Sequence, residues 1–139
     1  MKEVFVKPNN PGVYSSTRQQ YIEGEVHNAE RNRLIVEKAV EYPKPCVIVC
    51  YSNKHIYILK NMLKCSGMSS IAINSGASKE IMDATNNSNQ NVIYVVNNLK
   101  VDLLEREDIR TIIIATQIDM SRFIQRNAKE SLYIIRVGY

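Results

Sequence analysis

The side chains best suited to chemistry in this sequence are basic and polar, and they follow the ends of apolar runs. Asn53 and Lys54 come just after the run Cys46–Tyr51, and Ser75 follows a weaker run at Ser70–Asn74. Amides, hydroxyls and lysines are hydrogen-bond donors, which suits an oxyanion such as a phosphate better than a metal ion. The same residue types also occupy ordinary loops, and Asn53 could instead cap a helix.

Two other residues could be taken for catalytic groups. Cys50 lies at the end of an apolar run and His55 follows it closely. We expect Cys50 to be a buried structural thiol, and we expect His55 to be exposed in the first turn of a helix. The three cysteines and two histidines lack the spacing of a zinc site, and no glycine-rich phosphate loop is present. The sequence therefore predicts no metal and no cofactor.

Charge is distributed unevenly along the 139 residues, whose net charge is +4. Residues 43–79 contain five lysines and no acid, 80–108 contain six acids and two bases, and 109–139 contain five bases and two acids. These segments could simply be solvated surfaces of unequal charge. Alternatively, the basic segments bind an anionic partner and the acidic one contacts a protein.

Apolar runs alternate with amphipathic segments along most of the chain. Runs without polar alternation are typical of strands that are covered on both faces of a parallel sheet. The predicted strands are Cys46–Tyr51, Ser70–Asn74, Val92–Val96, Thr111–Ala115 and Leu132–Val137. The predicted helices are Glu25–Glu41, a segment from Ser52 or Asn53 to Cys65, Ser78–Asn87 and Met120–Lys129. The sequence thus predicts a three-layer α/β domain, with a five-stranded, mostly parallel sheet and helices on both faces.

The polar, proline-containing residues 1–20 are predicted to form an extended arm, and residues 21–139 a single domain. No run approaches the ~18 apolar residues that can span a bilayer. The first residues are too polar for a signal peptide. We therefore expect an intracellular, non-secreted protein.

Several segments occur in a familiar order, namely Tyr21–Glu25 with Ala29–Ile35, then Cys46–Leu63, Ser70–Gly76 and Arg122–Arg126. Together they resemble the second, C-terminal RecA-like lobe of superfamily-two helicases of the DExH type. In that family they would be the entering helix, motif IV, a strand ending in a Ser-Gly turn, and the start of motif VI. The resemblance covers residues 21–139 and implies a RecA-like fold.

Departures from the family's motifs argue against ATP hydrolysis. Motif VI reads Gln-Arg-x-Gly-Arg-x-x-Arg, but here Gln125 and Arg126 are followed by Lys129 and Leu132 at the positions of the two finger arginines. Neither side chain replaces a planar guanidinium on a γ-phosphate. In that family the phosphate-binding loop lies on the first lobe, so a chain that holds only the second lobe lacks it. We therefore expect a protein that is not an enzyme.

Without ATP hydrolysis, the resemblance still implies the other role of this lobe, which is to bind a nucleic-acid backbone. We therefore expect an accessory factor of nucleic-acid metabolism. Such binding of DNA or RNA would be weak and indifferent to sequence. The expected contacts are Asn53, Lys54, Lys60, Lys64, Ser75, Arg122, Arg126 and Lys129.

Two alternatives remain open. The chain could be an adaptor or inhibitor that docks on a host ATPase, helicase or polymerase. Its contact surface would then be the acidic residues Asp102, Glu105, Glu107 and Asp108. It could also be the second lobe of a split helicase. The many Asn, Ile and Lys residues are typical of AT-rich genomes such as those of phages and other viruses.

Overall fold

A computed structural model describes residues 1–9, 13–74, 91–97, 107–116 and 131–138 of the chain. Six strands within these residues form one sheet in which every pairing is parallel. The strands are β1 (Lys2–Val6), β2 (Cys46–Cys50), β3 (Ser70–Ile73), β4 (Ile93–Asn97), β5 (Thr111–Ile114) and β6 (Tyr133–Val137). Their order in the sheet is β1-β6-β5-β2-β4-β3. The predicted α/β class with a parallel sheet is confirmed.

The described helices lie between β1 and β3. They are α1 (Thr17–Tyr21), which continues into a π-helical turn (Ile22–Val26), then α2 (Ala29–Glu41) and α3 (Asn53–Cys65). Each α-helix begins at a polar side chain that accepts a hydrogen bond from the backbone N–H three residues on, namely Ser16, Asn28 and Ser52. Gly67, with φ at +80°, follows the end of α3, and this left-handed conformation suits a glycine.

The sheet is buried on both faces. Alternate residues of β2 belong to two apolar clusters, with Ile48 on one face and Val47 and Val49 on the other. Helices α2 and α3 cover the first face with side chains that include Ile35 and Leu59. Because all five residues of β2 are buried, the strand shows no polar alternation in its sequence.

The strand β1 is a sixth strand that the sequence analysis did not predict. It pairs with β6, so Lys2–Val6 lies in the sheet and not in an arm that precedes the domain. As an edge strand, β1 contributes only the half-buried Val4 and Val6 to the core, while Phe5 between them is exposed. The apolar signal was therefore too short to indicate a strand.

The other five predicted strands are confirmed, with each end shifted by at most one residue. The helix predicted from Glu25 begins at Ala29, because the preceding turn is π-helical and Asn28 caps the α-helix. The helices predicted at Ser78–Asn87 and Met120–Lys129 lie outside the described residues. In the described part of the chain, no helix combines the length and apolarity that crossing a membrane requires.

Candidate nucleic-acid interface

Polar side chains gather where the central strands end. Because the sheet is parallel, the carboxyl ends of its strands share one edge, which is where ligands bind in open α/β sheets. Asn97 ends β4 and is 6% exposed. Its Nδ2 donates to Oδ1 of Asn53, at the start of α3, over 2.8 Å. This amide pair joins the ends of the neighbouring strands β4 and β2.

The beginning of α3 is an accessible part of this edge. Ser52 is the cap, since its Oγ accepts from the backbone N–H of His55 at 3.2 Å. Asn53 is therefore not the cap, and its side chain, like that of Lys54, is exposed. The first turn contains no acidic residue. Lys54 and the positive end of the helix dipole therefore both contribute positive charge at the beginning of α3.

His55 is fully buried, so the prediction that it is exposed is wrong. Its ring faces α2, where Nε2 lies 2.7 Å from Oδ1 of Asn32. Because an amide oxygen only accepts, Nε2 must carry the hydrogen. Burial, with the nearby charges of Arg31 and His27, lowers the pKa of His55 to about 4. The ring is therefore neutral, and it is not a base that solvent or substrate reaches.

Arg31 is 1% exposed and fastens α2 to the end of β6. Its Nε donates to the carbonyl oxygen of Gly138 at 3.0 Å, and its Nη2 donates to that of Val137 at 2.9 Å. Arg31 and Asn32, which contribute to the family resemblance, are thus structural residues beneath the edge. Their spacing of four from Ile35 and Val36 places them on the buried face of α2, and this was the signal that sequence reasoning missed.

Cys50 is buried at the end of β2, as predicted. Burial, and then the nearby Glu25 carboxylate, raise the pKa of its thiol. A thiol held in its protonated form is not a nucleophile. Among the described residues, no three His, Cys, Asp or Glu side chains are grouped so that they could hold a metal ion.

The structure does not bring all the predicted contacts together. Lys60 and Lys64 lie in the second half of α3, so Lys64 is ~15 Å along the axis from Lys54 at 1.5 Å per residue. With Asn61 and residues 67–70, they line a groove of about 450 Å³ beside the amino end of β3. The basic residues of α3 therefore extend from one edge of the sheet to the other.

The remaining predicted contacts are Ser75, Arg122, Arg126, Lys129, Asp102 and Glu105, which lie outside the described residues. Glu107 is exposed and Asp108 is half-buried in the segment before β5, at the amino edge of the sheet. Leu132 is 4% exposed and packs in the second apolar cluster. The position that the resemblance assigns to the second finger arginine is thus occupied by a side chain of the core.

Solved structures of DEAD-box proteins and of a SWI2/SNF2 ATPase share this fold. The C-terminal domain of the DEAD-box protein Dbp5 matches with a TM-score of 0.66 and 12% identity, over 100% of this chain and 77% of that one. The DEAD-box protein SrmB of E. coli, solved with the regulator of ribonuclease activity A, matches with a TM-score of 0.64 and 10% identity, over 99% and 76%. The C-terminal domain of a Sulfolobus solfataricus SWI2/SNF2 ATPase matches with a TM-score of 0.58 and 12% identity, over 98% and 78%.

No protein-family model and no curated protein matches the sequence. These structural matches cover nearly the whole chain. They agree with the parallel sheet and its buried central strand. The chain has the fold of the RecA-like C-terminal lobe of superfamily-two helicases and SNF2 ATPases.

Proposed function

We propose that this protein binds the backbone of nucleic acids, without sequence preference, as an accessory factor of nucleic-acid metabolism. The observation that carries the proposal is the beginning of α3, where Asn53 and Lys54 are exposed at the carboxyl edge of the sheet. A lysine at the positive end of a helix opposes helix stability by about 0.3–1 kcal/mol. An anion bound there would be attracted by both the lysine and the helix dipole.

The proposal includes the absence of ATP hydrolysis by this chain alone. Leu132 supports it, because an aliphatic side chain packed in the core cannot contact a γ-phosphate. Lys129 supports it through its chemistry, since an ammonium does not make the bidentate contact of an arginine. Binding without turnover is therefore the activity that we expect.

Binding can be tested by fluorescence anisotropy with labelled oligonucleotides of several sequences. A few phosphate contacts should give Kd values of ~10⁻⁴–10⁻⁶ M near physiological salt, and tighter binding at about 50 mM salt. Lys54→Gln should weaken binding equally for all sequences. It should also reduce the slope of log K against log salt by about 0.7 on single strands. Phosphate release from ATP, measured in the same samples, should stay at the level of buffer.

The matched control is Lys38→Gln, because Lys38 lies on α2 and already contacts the carboxylate of Glu41 at 3.2 Å. It should bind like the unmodified protein. No binding of single-stranded or duplex nucleic acid at about 50 mM salt would refute the proposed function. Unaided ATP hydrolysis would refute the proposed lack of turnover.

Docking on a protein is a second candidate function. The match to SrmB favours it, since that lobe-containing protein was solved with a regulator protein bound. Of the four acidic residues predicted for this contact, Glu107 lies among the described residues and is exposed. Recovery of one nucleic-acid enzyme in stoichiometric amount, lost with Glu107→Lys, would support docking. Recovery of nucleic acid alone would contradict it.

A further inference from the structure

The outer face of α3 combines cations with an exposed aromatic ring. Lys54, Tyr57, Lys60 and Lys64 recur at spacings of three and four, which places them along one side of the helix. Tyr57 is 52% exposed. A polar side chain would satisfy the same surface position, so the aromatic ring is not required by the fold. We call these four residues the α3 stripe. Positive charge combined with an exposed aromatic ring is typical of surfaces that bind single-stranded nucleic acid.

The electrostatics of the α3 stripe differ from those of the helix beside it. Both α2 and α3 have 13 residues and cover the same face of the sheet. Helix α2 mixes acids with bases, and its Lys38 contacts Glu41. Helix α3 contains three lysines and no acid, and none of these lysines forms an ion pair within the described residues. The positive charge of the stripe is therefore available to an anionic partner.

Helix stability explains only part of this charge. Lys64 lies in the last turn, where a cation interacts favourably with the helix dipole. Lys54 lies in the first turn, where the same interaction is unfavourable. A ligand that carries negative charge along its length would account for both ends.

The end of the α3 stripe opens into a concave surface. Lys60 and Lys64 line the groove of about 450 Å³, together with Asn61 and the segment 67–70. Two ammonium groups and several small polar side chains in one groove can hold a phosphate and its sugar. The stripe and the groove are continuous, because they share both lysines.

From these observations we infer that a single strand of DNA or RNA runs along the α3 stripe. Lys54 contacts its backbone at the carboxyl edge, one base stacks on the ring of Tyr57, and the groove beside Lys60 and Lys64 holds a phosphate. A duplex cannot use the ring in this way, since its bases are already paired and stacked. The inference rests on the proposed nucleic-acid binding and names single strands as the preferred ligand.

Tyr57→Leu tests the stacking, because leucine keeps an apolar side chain and removes the ring. With a labelled oligothymidylate at about 50 mM salt, we expect binding to weaken by at least about fivefold, the lower limit for loss of one stacked base. Tyr57→Phe keeps the ring and should bind as the unmodified protein does. Affinity for a duplex should not change with either variant, so the preference for single strands should decrease in Tyr57→Leu.

The double variant Lys60→Gln/Lys64→Gln tests the groove. It should weaken single-strand binding and reduce the salt slope by about 1.4, since two contacts contribute about 0.7 each. Lys7→Gln/Lys38→Gln removes the same charge elsewhere and should leave the slope unchanged. An oligothymidylate carrying 5-iodouracil should crosslink under ultraviolet light to Tyr57, as mapped by mass spectrometry.

Several outcomes would overturn the inference while leaving the proposed function intact. One is nucleic-acid binding that Lys54→Gln weakens but that Tyr57→Leu and the Lys60 and Lys64 double variant do not. Another is equal affinity of the unmodified protein for an oligothymidylate and for a duplex. Binding of polyglutamate as tight as that of the oligonucleotide would contradict both the inference and the proposed function, because it would identify an acidic protein as the ligand. Failure of the unmodified protein to bind any nucleic acid would instead remove the proposed function itself.

Discussion

Arg31 is a buried side chain whose loss should destabilise the fold. Its two hydrogen bonds hold the last strand to α2 at a point where water is excluded. Arg31→Met would leave the carbonyls of Val137 and Gly138 without these donors. Hydrogen bonds to a charged donor contribute about 1.5–3 kcal/mol each, so loss of the two should lower the free energy of unfolding by about 3–6 kcal/mol.

Urea unfolding followed by circular dichroism measures this change, and Arg33→Met is the control. Arg33 lies on the same helix but is exposed, so its replacement should change stability by no more than about 0.5 kcal/mol. Equal midpoints for the two variants would show that the Arg31 contacts do not stabilise the fold.

The residues around Arg31 show what side-chain chemistry alone can and cannot predict. The burial of Cys50 was predictable, because it ends an apolar run and cysteines are usually buried. The burial of His55 was not, because it depends on the amide of Asn32, which lies 23 positions away on another helix. A polar side chain is buried where another group forms a hydrogen bond with it. The sequence does not show which side chains will meet in the fold.

At the scale of elements, β1 packs into the apolar core on one face only. Val4 is half-buried and packs on the first apolar cluster, whereas Phe5 is 76% exposed. Val4→Asp should therefore destabilise the protein by about 1–3 kcal/mol, the cost of burying a polar group. Phe5→Asp should have little effect, because its side chain points to solvent, near the guanidinium of Arg136.

Thermal unfolding of the two variants distinguishes a strand from a loose arm. If residues 2–6 form the strand, only Val4→Asp should lower the Tm. If they were a detached arm, neither variant would change it.

The contrast between β1 and β2 explains which elements could be predicted. A central strand such as β2 is buried on both faces, so its whole sequence is apolar. An edge strand needs apolar residues only on the face that packs, so β1 reads as a polar segment with a short apolar run. The order of the strands was also not predictable in detail, since it depends on which connections cross the sheet.

At the scale of the whole molecule, the candidate site is divided more than the sequence suggested. The lysines of α3 belong to one basic segment of the sequence. In the structure they extend along the helix from the carboxyl edge of the sheet to the groove at the amino edge. The sequence predicted the elements that carry these residues, because apolar periodicity reports burial. It did not predict their separation, which follows from the direction of α3 between two parallel strands.

The stability of the whole fold should depend on pH through His55. Its pKa is about 4 in the folded protein against an ordinary value of 6.5, because burial and the charges of Arg31 and His27 disfavour the imidazolium. Between these values the unfolded chain binds a proton that the folded chain does not, so the free energy of unfolding falls as the pH falls. From about pH 7 to about pH 4.5 the loss due to His55 should be about 2–3 kcal/mol.

His55→Gln, which keeps a donor for Asn32 but does not titrate, should lose correspondingly less stability in urea unfolding at the two pH values. The same pH dependence in His55→Gln as in the unmodified protein would mean that His55 does not remain neutral inside the fold, and that the contact between α2 and α3 is not the one described.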